Sequence, residues 1–94
     1  MKQAHVYVSG FVQGVGFRAY VRPKARKMGI NGWVRNLTDG RVEGVFQGEK
    51  EVILKLIRLC HRGPFFARTT DVVVDWEDAT EEFSEFTKRE TVSR

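Results

Sequence analysis

The segment Ile30-Asn31-Gly32-Trp33-Val34-Arg35-Asn36-Leu37-Thr38-Asp39-Gly40-Arg41-Val42-Glu43-Gly44-Val45-Phe46-Gln47 reads as strand, turn, strand. An Asp-Gly pair between two strand-like runs is among the stronger hairpin signals, so residues 30–37 and 41–47 are expected to pair antiparallel. In the second run Val42, Gly44 and Phe46 share a face, and Glu43, Val45 and Gln47 form the outward set. That alternation predicts a sheet with one covered side and one wet side. Something must cover the side that holds Val42 and Phe46.

The cover lies on both sides of the hairpin in the chain. Residues 49–62 place Val52, Ile53, Leu56, Ile57 and Cys60 on one helical stripe. Acidic residues open that helix, Arg58, His61 and Arg62 lie near its end, and Gly63-Pro64 stops it. Upstream, Phe17, Val21, Ala25 and Met28 recur at helical spacing, Arg18, Arg22, Lys24, Arg26 and Lys27 fall mostly elsewhere, and Gly29 follows as a stop. Pro23 removes a backbone donor and crowds the carbonyl of Ala19, so this helix is expected to begin late or to bend. Residues 3–9 alternate as a strand, with Val6 and Val8 on one face and His5, Tyr7 and Ser9 on the other. Residues 70–76 do the same, with Thr70, Val72, Val74 and Trp76 inward against Asp71, Val73 and Asp75. Residues 79–82 form a polar connection, 83–89 a last short strand, and nothing in 91–94 calls for order. The order βαββαβ, with a fifth strand appended, is that of the ferredoxin-like α+β sandwich, an antiparallel sheet with two helices on one face.

At 94 residues the chain is expected to be a single domain spanning 1–94, with an ordered core at about 3–90. A hydrophobic fraction of 41% supplies one modest core and 30% charged residues cover it, which excludes a disordered chain. Cys60 is the sole cysteine, and with only His5 and His61 to help it no structural metal is expected. No cofactor is expected either. No apolar run is long enough for a signal peptide or a membrane span, so the reading is a cytoplasmic protein apart from membranes. It is also expected to be a monomer. A net charge of +4 suits an anionic ligand without naming one.

The chemistry is concentrated in Gly10-Phe11-Val12-Gln13-Gly14-Val15-Gly16-Phe17-Arg18, a glycine-rich turn between a strand and a helix. Gly14 and Gly16 free the backbone to curl so that successive N–H groups converge, and the nearby helix start adds its positive end. Arg18, permanently charged and fork-shaped, can grip two phosphate oxygens at once. A turn that merely reverses the chain is the other reading of these glycines. The segment is not a nucleotide P-loop, because no Gly-Lys-Ser/Thr follows, and it is not G-x-G-x-x-G in a parallel βαβ unit, because a hairpin comes next.

The run Val8-Ser9-Gly10-Phe11-Val12-Gln13-Gly14-Val15-Gly16-Phe17-Arg18 resembles the signature of the acylphosphatases. A second block, Gly32-Trp33-Val34-Arg35-Asn36 followed by Asp39-Gly40 and Val42-Glu43-Gly44, is similar to that family's second signature. The likeness continues through Gly63-Pro64, Ala67-Arg68 and Trp76 to Phe83 and Phe86, and so covers the chain from His5 to about Arg89. It implies metal-independent hydrolysis of acyl phosphates, small-molecule substrates, to a carboxylate and inorganic phosphate. It also implies that Arg18 and the backbone N–H groups of Gly14, Val15, Gly16, Phe17 and Arg18 hold the phosphate, and that Asn36 positions the attacking water. Pro23 and the Phe65-Phe66 pair, where Pro-Phe is more usual, depart from the pattern.

Other residues have plainer readings. Trp33 and Trp76 are expected to pack, and Cys60 to be a small core residue rather than a nucleophile. His5 and His61 are expected to be half-exposed, and the basic residues of the first helix to form a solvated face that draws anions in. An RNA-binding module of the same topology is one rival, faintly suggested by Val6-Tyr7-Val8-Ser9-Gly10-Phe11. It fails where Arg41-Val42-Glu43-Gly44-Val45-Phe46 puts Val and Glu in place of base-stacking rings, so no nucleic-acid partner is expected. The other rival, an acylphosphatase-like domain acting on carbamoyl phosphate within a hydrogenase-maturation carbamoyltransferase, needs further domains.

Overall fold

The Asp39-Gly40 turn closes as its sequence requires: the Arg41 N–H donates to Asp39 Oδ1 at 3.0 Å, and the Gly40 N–H to the Leu37 carbonyl at 3.1 Å. The computed structural model describes residues 2–93. Its elements run β1 (Lys2–Phe11), α1 (Phe17–Lys27), β2 (Asn31–Asn36), β3 (Val42–Gln47), α2 (Lys50–Arg62), β4 (Arg68–Asp78) and β5 (Phe86–Lys88). The strands form one sheet in the order β4-β1-β3-β2-β5. The three pairings among β1 to β4 are antiparallel, as expected for the ferredoxin-like sandwich, and the appended β5 lies parallel to β2. After β4 the chain crosses one end of the sheet and reverses, so β5 runs opposite to β4, which is the direction of β2. Gln47 steadies that crossing, donating Nε2 to the Glu81 carbonyl at 2.8 Å and accepting the Phe83 N–H at 3.0 Å.

Both helices cover one face. Ala4, Val6 and Val8 of β1, Val42 and Phe46 of β3, Val34 of β2 and Phe86 of β5 pack in a single cluster with Val21 and Ala25 of α1 and Ile53, Leu56 and Cys60 of α2. Helix α1 begins at Phe17 and continues unbroken past Pro23, so the late start expected from that proline does not occur. Its basic residues are less free than a solvated face implies: Arg26 donates Nε to the Phe86 carbonyl at 2.9 Å, and the Lys24 ammonium sits 3.9 Å over the Tyr20 ring. Among the described residues no helix is long and apolar enough to cross a membrane.

The wet face expected opposite the helices is not wet at its centre. Glu43 is fully buried and Gln47 and Val45 are nearly so, because β3 lies between β1 and β2, whose side chains close over it. His5 Nε2 meets Glu43 Oε2 at 2.5 Å and Arg35 Nε donates to Glu43 Oε1 at 2.7 Å. Burial pushes the Glu43 carboxyl up, but hydrogen bonds from His5, Arg35 and Tyr7 outweigh it and hold the group below the usual carboxylate range. Trp33 packs between the guanidinium groups of Arg35 and Arg89, at 4.5 and 4.6 Å. On β4, Val72 and Val74 reach the core, whereas Thr70 and Trp76 stay exposed, because this edge strand extends past the cover that α2 provides. The expected lack of order in 91–94 is corrected at Val92: it bridges Leu37 in parallel, accepts the Thr38 N–H at 3.0 Å and donates to the Asn36 carbonyl at 3.3 Å. Arg94 lies outside the described residues.

Candidate active site

The end of β1, the start of α1 and the ends of β2 and β5 meet at one end of the sheet. Beyond Phe11 the chain leaves β1, and buried Val12 and Phe17 pin the two ends of the glycine turn into the core. Between them Gln13 reaches across to the hairpin, donating Nε2 to the Leu37 carbonyl at 2.6 Å and the Arg41 carbonyl at 2.8 Å. Gly14 and Gly16 take φ values of 74° and 79°, left-handed conformations that would strain any residue with a Cβ. The first helical bond of α1 runs from the Tyr20 N–H to the Gly16 carbonyl at 2.9 Å, so the N–H groups of Phe17, Arg18 and Ala19 have no acceptor within the helix.

Strand alternation delivers the other side of the site. In register, Asn36 lies opposite Val42 and Lys88 opposite Val34, so both project to the helix side of the sheet, just beyond the point where its apolar packing ends. Gly14, Gly16, Phe17, Arg18, Ala19, Asn36 and Lys88 together line a hollow of about 130 Å³. Pockets for drug-sized molecules run to roughly 300–1,000 Å³, so this one suits a small group. Among the described residues its wall carries two cations and a helix N-terminus and no carboxylate, which makes it a place for an anion. Arg18 is oriented from outside the hollow: its Nη1 donates to the Arg89 carbonyl at 3.2 Å, just past β5.

The structure thus brings Gly14, Gly16, Phe17, Arg18 and Asn36 together as the sequence suggests, while Val15 belongs to the same turn without lining the hollow. Sequence reading missed Lys88, Gln13 and the Arg89 carbonyl. Lys88 carries the period-two signal of a last strand, but nothing local tells which strand it will lie beside. Cys60 is remote from the hollow, and burial pushes its thiol up to about 12, so it is no nucleophile.

A family model described as Acylphosphatase matches residues 4–88. The chain belongs to the acylphosphatase family. It is 54% identical over 84 residues to the acylphosphatase of Pelotomaculum thermopropionicum, a match covering 89% of this chain and 91% of that one. It is 54% identical over 82 residues to that of a Roseiflexus species, with 87% and 88% covered. Among solved structures, the acylphosphatase from Bacillus subtilis superposes with a TM-score of 0.90 at 35% identity, covering 95% of this chain and 99% of that one. Full-length HypF in its phosphate- and nucleotide-bound form contains a similar fold, with a TM-score of 0.87 at 27% identity, but this chain covers only 12% of it. The acylphosphatase activity is hydrolysis of the carboxyl–phosphate anhydride of small-molecule acyl phosphates.

Proposed function

We propose that the phosphoryl group of the acyl phosphate sits in the hollow against Arg18 and the N–H groups of Gly14, Val15, Gly16, Phe17 and Arg18, and that Asn36 aims the attacking water. The observation that carries this reading is the shared wall: a left-handed glycine turn, an arginine and an asparagine from three separate elements face one small hollow with no carboxylate among its described residues. The asparagine side-chain oxygen accepts a hydrogen bond from water and directs its lone pair at phosphorus. As the P–O bond to the acyl group breaks, its electron pair leaves on a carboxylate, already a weak base, so no strong general acid is needed. The water oxygen bonds to phosphorus and one of its protons passes to a phosphate oxygen, giving dihydrogen phosphate and the carboxylate. Arg18, Lys88 and the helix start stabilise the negative charge on the three equatorial oxygens.

The test is acetyl phosphate hydrolysis in EDTA. Arg18→Ala is expected to lose about 10²–10³-fold, because a preorganised charge-stabilising contact disappears. Asn36→Ala is expected to keep its affinity for inorganic phosphate while kcat collapses, since water placement acts mainly in the transition state. Wild-type turnover in Arg18→Ala removes Arg18 from the mechanism, and loss of phosphate affinity with unchanged kcat makes Asn36 a binding group.

The chain acts in this reading as one catalytic domain, monomeric and cytoplasmic, the last in keeping with its free buried thiol. RNA binding is disfavoured because the rings on the open sheet face are already covered. Trp33 is 6% exposed between two arginines, and Arg41 lies 4.7 Å over Tyr7.

A further inference from the structure

Arg18, Arg22 and Arg26 stand four residues apart on α1, so they climb one face of the helix in steps of about 6 Å. Like charges at that spacing weaken a helix unless an anion or a hydrogen-bond partner intervenes. Arg26 has both, the Phe86 carbonyl at 2.9 Å and Glu85 Oε1 at 3.2 Å, and Arg18 has the Arg89 carbonyl. Arg22 differs. Its Nε is shut off from solvent and has no hydrogen-bond partner among the described residues.

Beside Arg22 lies a second hollow of about 340 Å³, lined by Ala19, Arg22, Pro23, Arg26 and Lys88. Ala19 and Lys88 also line the hollow at Arg18, so the two adjoin along the helix. Among the described residues no carboxylate lines either one. An arginine with no hydrogen-bond or ion-pair partner among the described residues, two further cations and a wall shared with the phosphoryl hollow are the elements of a second oxyanion subsite within the span of one small molecule.

We propose that this second hollow is an acyl-side subsite that receives an anionic group, a carboxylate or phosphate, carried on the acyl portion of the substrate. The proposal rests on the reading that the phosphoryl end lies at Arg18. Four residues of helix, about 6 Å, then separate the arginines that serve the two ends, a gap that a para-substituted benzoyl group bridges. Tethering the second anion to the first raises its effective concentration at Arg22 without any new contact in the phosphoryl hollow. Acyl phosphates that carry a remote negative charge are therefore the preferred substrates, and free inorganic phosphate is the competing source of the same chemistry.

The experiment compares kcat/KM for benzoyl phosphate and 4-carboxybenzoyl phosphate in wild type, Arg22→Gln, Arg22→Lys and Arg18→Ala. Wild type is expected to favour the carboxylated substrate, and the preference to shrink as salt rises. Arg22→Gln is expected to lose about tenfold on that substrate alone, the worth of one charge-assisted hydrogen bond at a half-exposed site, while Arg22→Lys keeps most of the preference. Equal effects on both substrates, or none on either, overturn the subsite. So does inhibition of benzoyl phosphate turnover by inorganic phosphate that is non-competitive and abolished in Arg22→Gln, because it gives the hollow to a free anion. If Arg18→Ala turns over benzoyl phosphate like wild type, the phosphoryl reading has failed instead.

Discussion

Replacing Gln13 by Ala should separate holding the site together from binding phosphate. Its Nε2 is the tie between the glycine turn and the hairpin, reaching Leu37 and Arg41 carbonyls at 2.6 and 2.8 Å. Neither carbonyl is orphaned by the loss, because Leu37 O still accepts the Gly40 N–H and Arg41 O the Leu37 N–H. The cost is then that of two ordinary hydrogen bonds, about 2 kcal/mol, which lowers Tm by about 8–16 °C in a domain this small. The catalytic cost is different in kind. Gly14 follows Gln13 and Leu37 follows Asn36, so the tie sets the distance from the glycine turn to the Asn36 amide, the proposed cradle and the proposed water holder; a misplacement near 1 Å costs about 10² in rate. Arg18 and the cradle lie together on one side of the severed tie, so the inhibition constant of inorganic phosphate should move far less than kcat. The assay is acetyl phosphate turnover well below the melting range, with Val72→Ala, on the far edge strand, as a stability-matched control. If kcat in Gln13→Ala falls no further than in that control, Gln13 is only a structural brace and the argument fails.

Glu43→Gln should lower stability by about 3 kcal/mol at neutral pH, since it strips the charge from a buried site and leaves Arg35 and His5 without it. The wild-type carboxyl is held below its ordinary 4.5, so its contribution is present above that pH and lost as pH falls through the depressed value. Thermal melts should therefore show a flatter acid limb in the variant, and parallel limbs would contradict the network. Gly16→Ala meets no atom within 4 Å, so its cost is the left-handed backbone, about 1–2 kcal/mol. If the turn is a cradle, KM and phosphate inhibition must worsen beyond what that destabilisation explains, as steady-state kinetics at low temperature will show. Cys60, with its thiol pushed up to about 12, should resist iodoacetamide at pH 8 in the native protein and label fully in denaturant; native labelling would place it outside the core.

The hairpin, both helices and the glycine turn were legible because each carries its own local signal: an Asp-Gly pair, a 3.6-residue apolar stripe, glycines at strand-to-helix junctions. What local patterns do not encode is which strands become central. Glu43 alternates like a solvent-facing residue, and only the order β4-β1-β3-β2-β5 places β3 where its outer face is roofed by neighbouring side chains. Trp76 is the opposite case, an inward position by period that the sheet edge leaves exposed. Val92 looked unheld for the same reason, since its partner Leu37 is brought to it by β5 lying beside β2.

The site follows the same division. In a split βαβ unit the crossover helix runs back against the strand before it, and the next strand runs forward again. The first turn of α1 and the last residue of β2 must therefore lie at one end of the sheet, which brings Arg18 and Asn36 together by topology. The resemblance of two short blocks, residues 8–18 and 32–44, is what singles both residues out in the sequence. Lys88 and the Arg89 carbonyl come from a strand that arrives only after the chain has crossed the whole sheet, so no spacing in the sequence relates them to Arg18. Their position still has a physical consequence: the carbonyl that aims the arginine belongs to the last element to dock. An acylphosphatase whose final strand frays should lose the orientation of Arg18 before it loses the fold of its core, because Phe86 is the only residue of β5 that is fully buried.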